Sequence, residues 1–254
     1  MSGRLSGKTI VITGATKGIG WAAAVKAAAE GAAVVATGRD EAAGAKLLAA
    51  IAEAGGQGAF VRHDVRSEAD WAAVIARAEA FGPLDGLVNN AGVFFVKPLA
   101  ETTEADFDQA CEINLEGAFL GVKSAFDAFA RGRRPGAVVN VSSLMGQVGY
   151  PNATAYCASK GGVTALTKAA AIEGADMDPK VRVNSIHPGV IWTPMITDQF
   201  GDDRALADAF AAETPLRIIG LPEYVADAIL FLVSDESSYM TGAELTVDGG
   251  RGAD

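Results

Sequence analysis

Three side chains in the stretch from Val138 to Thr167 carry groups that exchange protons or hydrogen bonds. Tyr156 and Lys160 stand four residues apart at the start of a helical run, a spacing that places a phenol and an ammonium on one helix face. Ser143 follows the apolar run 137–141, thirteen residues before Tyr156. A hydroxyl, a phenol and an ammonium therefore converge at a strand end, as acid–base chemistry requires. Taken alone, the same spacing is more typical of a half-buried ring beside a solvated charge.

A glycine-rich turn near the start of the chain indicates a phosphate site. Residues 8–13 read as a strand and 21–30 as a helix, and between them lies Gly14-Ala15-Thr16-Lys17-Gly18-Ile19-Gly20. Glycines tolerate φ > 0 and let backbone N–H groups approach an anion, which a helix N-terminus also attracts. The spacing Gly-x-x-x-Gly-x-Gly is neither the commoner Gly-x-Gly-x-x-Gly nor a P-loop. The turn is expected to bind a diphosphate.

The residues after the second strand, 33–37, bear on the choice of dinucleotide. At this position an acid favours a free ribose 2′-hydroxyl and an arginine favours a 2′-phosphate. The chain reads Gly38-Arg39-Asp40, so Arg39 favours NADP(H), with Lys17 as a second cation. NAD(H) remains possible if Asp40 turns inward.

Strands and helices alternate along the rest of the chain. This order predicts an α/β fold with a doubly wound parallel sheet of about seven strands, in one Rossmann-type domain over residues 1–254. The segment 194–215 is irregular in pattern and is expected to form a substrate lid. Ser67 with Asp70, and Thr103 with Asp106, have the spacing of helix-capping pairs. The remaining predicted strands are 58–62, 85–89, 137–141, 181–186 and 245–247, and the further helices are 41–54, one from Ser67, 103–130, one from Tyr156 and one from Pro222.

Two polar positions admit alternatives. Asp64, after the third strand, could accept from an adenine amine or cap the turn before Ser67. Asn114 interrupts an apolar face of helix 103–130 and must bond a neighbouring backbone or hold a water, since an unpaired buried amide costs about 1 to 3 kcal/mol. That face is expected to point inward and consists of Phe107, Cys111, Leu115, Phe119, Val122 and Phe126.

Together these motifs resemble the short-chain dehydrogenase/reductase family, in its single-domain subgroup, from about Leu5 to Gly250. The matching residues, in order and spacing, are Thr13-Gly14-x-x-x-Gly18-x-Gly20, Asn89-Asn90-Ala91-Gly92, Asn114, Ser143, Tyr156-x-x-x-Lys160 and Pro188-Gly189. The resemblance implies an enzyme that interconverts a secondary alcohol and a ketone by hydride transfer with NAD(P)(H).

The resemblance also implies a division of roles. Tyr156 is the general acid/base, Ser143 orients the substrate oxygen, Lys160 holds the nicotinamide ribose, and Asn114 positions a relay water. A phenol titrates near pH 10, so Lys160 is expected to lower the pKa of Tyr156 toward neutrality. The expected cofactor contacts are Gly14, Thr16, Lys17, Gly18, Ile19, Gly20, Arg39, Asp64, Val65, Asn90, Ala91, Gly92, Tyr156, Lys160, Pro188, Gly189, Ile191 and Thr193.

The expected substrate wall is apolar and carries no cation for a carboxylate or phosphate, which favours a bulky hydrophobic ketone or alcohol. Its residues are Phe94, Met145, Val148, Tyr150, Trp192, Met195 and Phe200. Within the family, three segments resemble bacterial hydroxysteroid and secondary-alcohol dehydrogenases most: Arg62-His63-Asp64-Val65 with Asp70-Trp71, Asn184-Ser185-Ile186-His187-Pro188, and Thr193-Pro194-Met195. One alternative is a 3-oxoacyl-[acyl-carrier-protein] reductase, with Arg131, Arg133 and Arg134 contacting the carrier; those arginines also suit a helix C-terminus. A non-catalytic dinucleotide sensor is an alternative of another class.

Composition and charge indicate which classes of partner the protein is expected to bind. The 254 residues carry a formal net charge of −10, which disfavours nucleic acid. The start of the chain lacks a secretory signal, no apolar run is long enough for a membrane span, and two lone cysteines, Cys111 and Cys157, suit a reducing compartment. A cytoplasmic protein that has no membrane or metal site is expected, with Cys157 as a small buried thiol. The family resemblance suggests a homotetramer.

Overall fold

Seven parallel strands form one sheet at the centre of the molecule, in the order β3-β2-β1-β4-β5-β6-β7. We describe residues 3–253 of the chain from a computed structural model. The predicted α/β fold with a doubly wound parallel sheet is confirmed. The strands are β1 Thr9–Ile12, β2 Ala33–Gly38, β3 Gln57–Arg62, β4 Leu84–Asn89, β5 Gly136–Val141, β6 Val181–Pro188 and β7 Glu244–Val247.

Helices follow the strands and cover both faces of the sheet. Single 3-10 turns lie at Leu99–Glu101, Leu144–Gly146, Asp235–Ser237 and Arg251–Ala253. The helices are α1 Gly18–Ala29, α2 Glu41–Glu53, α3 Glu68–Glu79, α4 Glu104–Cys111, α5 Gly117–Gly132, α6 Thr154–Asp176, α7 Pro194–Phe200, α8 Arg204–Ala212 and α9 Pro222–Val233.

Alternation along the strands divides the core in two. In β1, Ile10 and Ile12 belong to the cluster under α1, α2 and α9, whereas Val11 belongs to the cluster under α3, α5 and α6. Successive side chains of a strand point to opposite faces, so a sheet covered on both sides needs apolar residues at every position. The strands therefore read as continuous apolar runs in the sequence because both of their faces are buried.

The order of the strands places the site. The chain leaves β1 toward β2 on one side and later returns to β4 on the other, so a crevice opens beyond the carboxyl ends of β1 and β4. Helix α1 begins at Gly18 rather than at Trp21 as the sequence predicted. Gly18 and Gly20 therefore belong to its first turn, which brings the helix N-terminus to the crevice.

The predicted helix 103–130 contains a π turn. Helix α4 is followed by a π turn at Glu112–Glu116 and then by α5. The expected inward face of this helix is wrong at Phe107 and Phe119, which are 44% and 48% exposed, whereas Val122 is buried as expected. The extra residue in the π turn breaks the constant 3.6-residue period on which that expectation rested. The buried residues of α5 are Gly117, Ala118, Leu120, Gly121, Val122, Ala125, Ala128 and Phe129.

The two helix-capping pairs predicted from the sequence are present in the structure. Thr103 and Asp106 form a full capping box at the start of α4. The Ser67 hydroxyl accepts from the backbone N–H of Asp70 at 3.1 Å. The stretch 194–215 is more regular than its pattern suggested, because α7 and α8 occupy most of it and Asp203 caps α8 through the N–H of Leu206.

Candidate active site

The glycine turn is joined to the loop after β4 by polar contacts. The Thr13 hydroxyl accepts from the backbone N–H groups of Asn90 and Ala91, both at 3.0 Å. The Asn90 amide donates in return to the carbonyls of Thr13 at 2.9 Å and Gly14 at 3.1 Å. Thr13 was not among the predicted site residues, although it belongs to the recognised motif. These bonds fix the two walls of the crevice relative to each other.

The turn itself has the form of an anion cradle. Gly14 and Gly18 have φ of +62° and +59°, values that side chains disfavour. A Cβ on Gly14 would lie 2.7 Å from the Cα of Ala91, so the backbone approach requires glycine. Lys17 precedes α1 without a side-chain cap, and the first turn of α1 contains no acidic residue. The free N–H groups at this N-terminus suit a diphosphate.

A cavity of about 290 Å³ lies beside the cradle. Many residues predicted to contact the cofactor line it, together with Ser143 and Tyr156. Asn114, Gly20, Thr16, Arg39, Asp64 and Val65 are not part of its lining. The predicted cofactor residues that line it are Gly14, Lys17, Gly18, Ile19, Asn90, Ala91, Gly92, Tyr156, Lys160, Pro188, Gly189, Ile191 and Thr193.

Tyr156 and Lys160 share one face of α6 and are both buried, with 8% and 4% of their surfaces exposed. The Lys160 Nζ donates to the Val141 carbonyl at 2.8 Å and lies 5.8 Å from the centre of the Tyr156 ring. Ser143 follows the end of β5 and lines the same cavity as Tyr156, and its hydroxyl favours ionisation of the phenol. The three groups thus converge at a strand end.

Burial shifts the pKa values of both Tyr156 and Lys160. Desolvation raises the pKa of Tyr156 to about 12, against the opposing effect of the Ser143 hydrogen bond. Desolvation also lowers the pKa of Lys160 to about 8. The pKa of Tyr156 therefore lies above its ordinary value, contrary to the expected lowering by Lys160. The ammonium is bonded to the Val141 carbonyl and is not among the groups that shift the phenol, so desolvation of the phenolate prevails.

Asn114 lies in the π turn, behind the loop that follows β4. Its Oδ1 accepts from the N–H of Val93 at 2.8 Å, and its Nδ2 donates to the Val93 carbonyl and the Ser159 hydroxyl, both at 3.0 Å. The bond to a neighbouring backbone, one of the two alternatives for this buried amide, is thus present. Through these contacts Asn114 holds the loop that carries Gly92 and Phe94 against α6.

His187 supports Ser143 from beneath. Its ring is fully buried; Nδ1 lies 2.9 Å from the Ser143 carbonyl and Nε2 lies 2.9 Å from the Ser185 hydroxyl. A carbonyl only accepts, so Nδ1 carries the proton. Burial lowers the pKa of His187, although the Ser143 carbonyl and Glu244 oppose this effect. A neutral ring of defined tautomer thus positions the Ser143 backbone, a role that the sequence did not reveal.

The end of the crevice near β2 and β3 carries the charges expected to choose the cofactor. Asp40 caps α2, accepting from the N–H of Ala43 at 3.0 Å. Arg39 is exposed and helps to lower the pKa of Asp64. The principal partner of Asp64 is Arg66, at 2.6 Å, and this bond lowers the carboxyl pKa to about 2.

Asp64 also accepts from the backbone N–H of Arg66 at 3.1 Å. The carboxylate therefore closes the turn before Ser67, as one of its two predicted alternatives required. The nearby Val65 is buried against α5, where Gly117 admits its side chain. Thr16 packs on Gly38 at the end of β2.

The predicted substrate wall is correct in its apolar character but not in every member. Phe94, Met145, Val148, Tyr150 and Met195 line the cavity, whereas Trp192 and Phe200 do not. The N–H of Trp192 donates to the Gly220 carbonyl at 2.8 Å, within the short bridge between Ile191 and Gly220. The residues not foreseen in the wall are Val141, Ser142, Leu144, Gly149, Val190, Pro194, Ile196 and Arg251.

The expectation that the wall carries no cation is also wrong, because Arg251 belongs to it. This arginine comes from the last 3-10 turn of the described chain, far in sequence from the rest of the wall. No local pattern signals its position. It enters the site only through the turn Asp248-Gly249-Gly250 after β7.

A row of aromatic rings connects the site to α7 and α8. Phe94 packs edge-on against Tyr156 with ring centres 4.9 Å apart, and Phe200 lies 6.3 Å from Phe94. Phe210 of α8 continues the row at 5.8 Å from Phe200. Phe200 thus contacts the wall from behind rather than lining it. Lys17 and Asp198, 3.4 Å apart and exposed, link the glycine turn to α7.

Several features outside the crevice bear on the alternative function and on the expected partners. Arg131 pairs with Glu79 and Arg134 with Asp85, each at 2.9 Å, at the C-terminal end of α5. Both cysteines are unpaired, and Cys157 is half-buried rather than buried. Within residues 3–253, no helix combines the length and apolar character needed to cross a membrane. The same residues contain no His, Cys, Asp and Glu cluster suited to a metal ion.

Known proteins resemble the whole chain. Residues 14–251 match the family model described as enoyl-(acyl carrier protein) reductase. An NADP-dependent (R)-specific alcohol dehydrogenase from Lentilactobacillus kefiri is 40% identical, with 98% of each chain covered. The 3beta-hydroxysteroid dehydrogenase 1 of Eggerthella lenta is 41% identical, over 97% of this chain and 94% of that one. A short-chain type dehydrogenase/reductase from Mycobacterium marinum superposes with a TM-score of 0.89 at 33% identity, covering 97% and 96% of the two chains.

Proposed function

Because the chain belongs to the short-chain dehydrogenase/reductase family, we propose that it interconverts secondary alcohols and ketones with a nicotinamide dinucleotide. One observation carries the proposal. Tyr156 and Ser143 line a cavity of about 290 Å³ that the glycine cradle also lines. The relatives whose names denote alcohol and hydroxysteroid dehydrogenases support the same reaction class.

The cradle fits the diphosphate of the cofactor. Gly14 and Gly18 leave room that a Cβ would fill, and the N-terminus of α1 offers uncapped N–H groups. Lys160 binds the nicotinamide ribose, since its ammonium lies beside the loop that carries Gly92. When bound, the nicotinamide ring supplies or accepts the hydride.

The residues of the chain manage the oxygen and its proton. Ser143 donates a hydrogen bond to the substrate oxygen, and Tyr156 exchanges the proton with it. Because burial raises the pKa of Tyr156 to about 12, the phenol keeps its proton at neutral pH and is ready to protonate the oxygen of a ketone. Alcohol oxidation requires the phenolate and accelerates as pH rises. Asn114 holds Val93 and the loop around it and positions the relay water that the family resemblance implies.

The wall favours a bulky hydrophobic substrate, steroid-like, alicyclic or aromatic. Phe94, Leu144, Met145 and Val148 offer apolar surface beside the hydroxyls, and such surface gains about 25 cal/mol per Å² that it removes from water. Acyl-carrier-protein reduction is less well supported, because Arg131 and Arg134 are already paired with acids of the same chain.

NADP(H) is the preferred cofactor. Arg39 is exposed after β2 and makes no ion pair within 4 Å among residues 3–253, which leaves its guanidinium available to a 2′-phosphate. The Asp40 carboxylate, which would favour NAD(H), is engaged as the cap of α2. The name of the L. kefiri relative, which is NADP-dependent, agrees.

The proposal extends to the surroundings of the site. Segment 194–215 acts as a lid, supported by the aromatic contacts of Phe200 and Phe210. The protein forms a homotetramer, which the exposed Phe107 and Phe119 on α4 and α5 support, because a partner would cover them. Sedimentation velocity tests this assembly. A cytoplasmic location is supported by the unpaired cysteines.

Turnover of NADPH with a panel of alicyclic, aromatic and steroid ketones tests the function. Reduction of at least one bulky ketone, with NADPH preferred to NADH, is the expected result. Saturable cofactor binding without turnover of any ketone or alcohol would instead identify a non-catalytic dinucleotide sensor.

A further inference from the structure

The charged side chains that line the cavity are all cations. They are Lys17, Lys160 and Arg251, and no carboxylate from residues 3–253 joins them. Lys160 is buried and bonded to the Val141 carbonyl, and Lys17 faces Asp198 on α7. Arg251 remains as the cation at the apolar end of the cavity, with its guanidinium 5.8 Å from the centre of the Tyr150 ring.

A specific turn places Arg251 there. The Asp248 carboxylate accepts from the N–H of Gly250 at 2.9 Å and of Gly252 at 2.6 Å. Gly249 and Gly250 have φ of +66° and +88°, so the chain reverses where other residues would be strained. A Cβ on Gly252 would lie 2.6 Å from Cδ1 of Leu144, the neighbour of Ser143. The last turn is therefore seated against the wall of the substrate cavity.

The guanidinium is only partly engaged. Its Nη2 lies 2.5 Å from the Glu213 carboxylate, which follows α8, and the side chains are 21% and 47% exposed. Ion pairs at such exposure hold their partners only weakly. An arginine has five N–H donors in a planar fork, and Glu213 is its one acidic partner within 4 Å in the described chain. Because Arg251 also lines the cavity, its other donors are available to a ligand there.

We infer that Arg251 determines substrate specificity by binding a carboxylate on the substrate, remote from the reacting carbonyl. The preferred substrates are oxo acids, or the corresponding hydroxy acids, built on an alicyclic or aromatic frame. The apolar wall holds the frame and the arginine fork binds the carboxylate through two parallel hydrogen bonds. Glu213 competes for the same fork. This inference rests on the proposed function, because it assumes reduction at Ser143 and Tyr156.

A matched pair of ketones tests the inference. 4-Oxocyclohexanecarboxylate and its methyl ester differ in charge but share the ring and the carbonyl. The measured quantity is the ratio of kcat/KM for the acid to that for the ester, with the inhibition constant of cyclohexanecarboxylate as a second readout. Wild type is expected to prefer the acid. Arg251→Gln is expected to lower the ratio by about tenfold or more and to weaken the inhibitor equally, since a lost charge-assisted pair costs over 1.4 kcal/mol.

Two further variants provide controls. Arg251→Lys keeps the charge and should retain part of the preference for the acid. Glu213→Gln removes the competitor and should raise the ratio, which keeps the test decisive if Arg251→Gln folds poorly. Ratios that stay within about threefold of wild type in Arg251→Gln and Glu213→Gln would overturn the inference while leaving ketone reduction intact. Failure to reduce either ketone, or any other, would instead remove the proposed function.

Discussion

Replacing Lys160 with methionine should stabilise the cofactor-free protein. Lys160 is 4% exposed and has no acidic partner among residues 3–253, and burial lowers its pKa from 10.5 to about 8. At about 1.4 kcal/mol per pKa unit, keeping the buried ammonium charged near pH 7 costs about 3 kcal/mol. Methionine also removes the bond to the Val141 carbonyl, 2.8 Å long, and an unpaired carbonyl costs about 1 to 3 kcal/mol. A net gain of up to about 2 kcal/mol remains, or at most a few degrees in Tm.

The dependence on pH follows from the same shift. Below about pH 8 the ammonium is charged in both the folded and unfolded chain, and the full penalty applies. Between about 8 and 10.5 the folded protein has lost this proton while the unfolded chain keeps it, so the stability of wild type rises with pH. From about pH 7 to 9.5 the gain is about 2 kcal/mol. Lys160→Met lacks this gain, so its advantage over wild type shrinks.

Urea denaturation without cofactor, at fixed protein concentration and at the two pH values, measures both effects. The difference in unfolding free energy between Lys160→Met and wild type should be positive near pH 7 and smaller or reversed near 9.5. A variant that is less stable than wild type near pH 7, with a difference that does not change with pH, would refute the argument from burial.

Three other perturbations follow from the geometry. Arg39→Asp should reverse the preference for NADPH over NADH, whereas steady-state kinetics in which wild type already prefers NADH would contradict the assignment. His187→Leu removes the donor to the Ser143 carbonyl and should lower kcat about tenfold without weakening the binding of cofactor. His187→Asn restores an N–H near the Nδ1 position and should recover most of the rate; equal losses in both variants would indicate a packing role alone. Gly14→Ala must place a Cβ against Ala91 at positive φ. It should lower the unfolding free energy by about 1 to 3 kcal/mol and weaken cofactor binding, as measured by fluorescence titration. Unchanged values would show that the turn relaxes without cost.

Local patterns in the sequence were sufficient for the sheet and for much of the site. The strand alternation, the glycine turn and the four-residue spacing of Tyr156 and Lys160 depend on contacts close in sequence. Arg251 and His187 could not be found in this way, because they reach Ser143 and its neighbours through tertiary packing of β6 and the last turn. The prediction of the inward face of helix 103–130 was incorrect in part for another reason. The π turn at Asn114 adds one residue to the helical repeat, and no distinctive composition marks it in the sequence.

The protonation of the site also lay beyond the sequence. A cation four residues from a phenol suggests a lowered phenol pKa, but the outcome depends on how deeply both groups are buried and on which group the ammonium bonds. Here Lys160 bonds the Val141 carbonyl, and burial of Tyr156 raises its pKa to about 12. The residues predicted to contact the substrate were also only partly correct. Trp192 and Phe200 are close in sequence to residues that line the cavity, but they do not line it themselves.

The role of Tyr156 is the centre of the account, and Tyr156→Phe tests it most directly. The variant loses one oxygen from a buried ring that Phe94 contacts edge-on, so the fold and the glycine cradle should be unchanged. The measurements are kcat for NADPH-dependent reduction of a bulky ketone and the dissociation constant of NADPH. A fall in kcat of about 100-fold or more, with the dissociation constant within about twofold of wild type, is predicted. Turnover like that of wild type would contradict proton transfer by Tyr156.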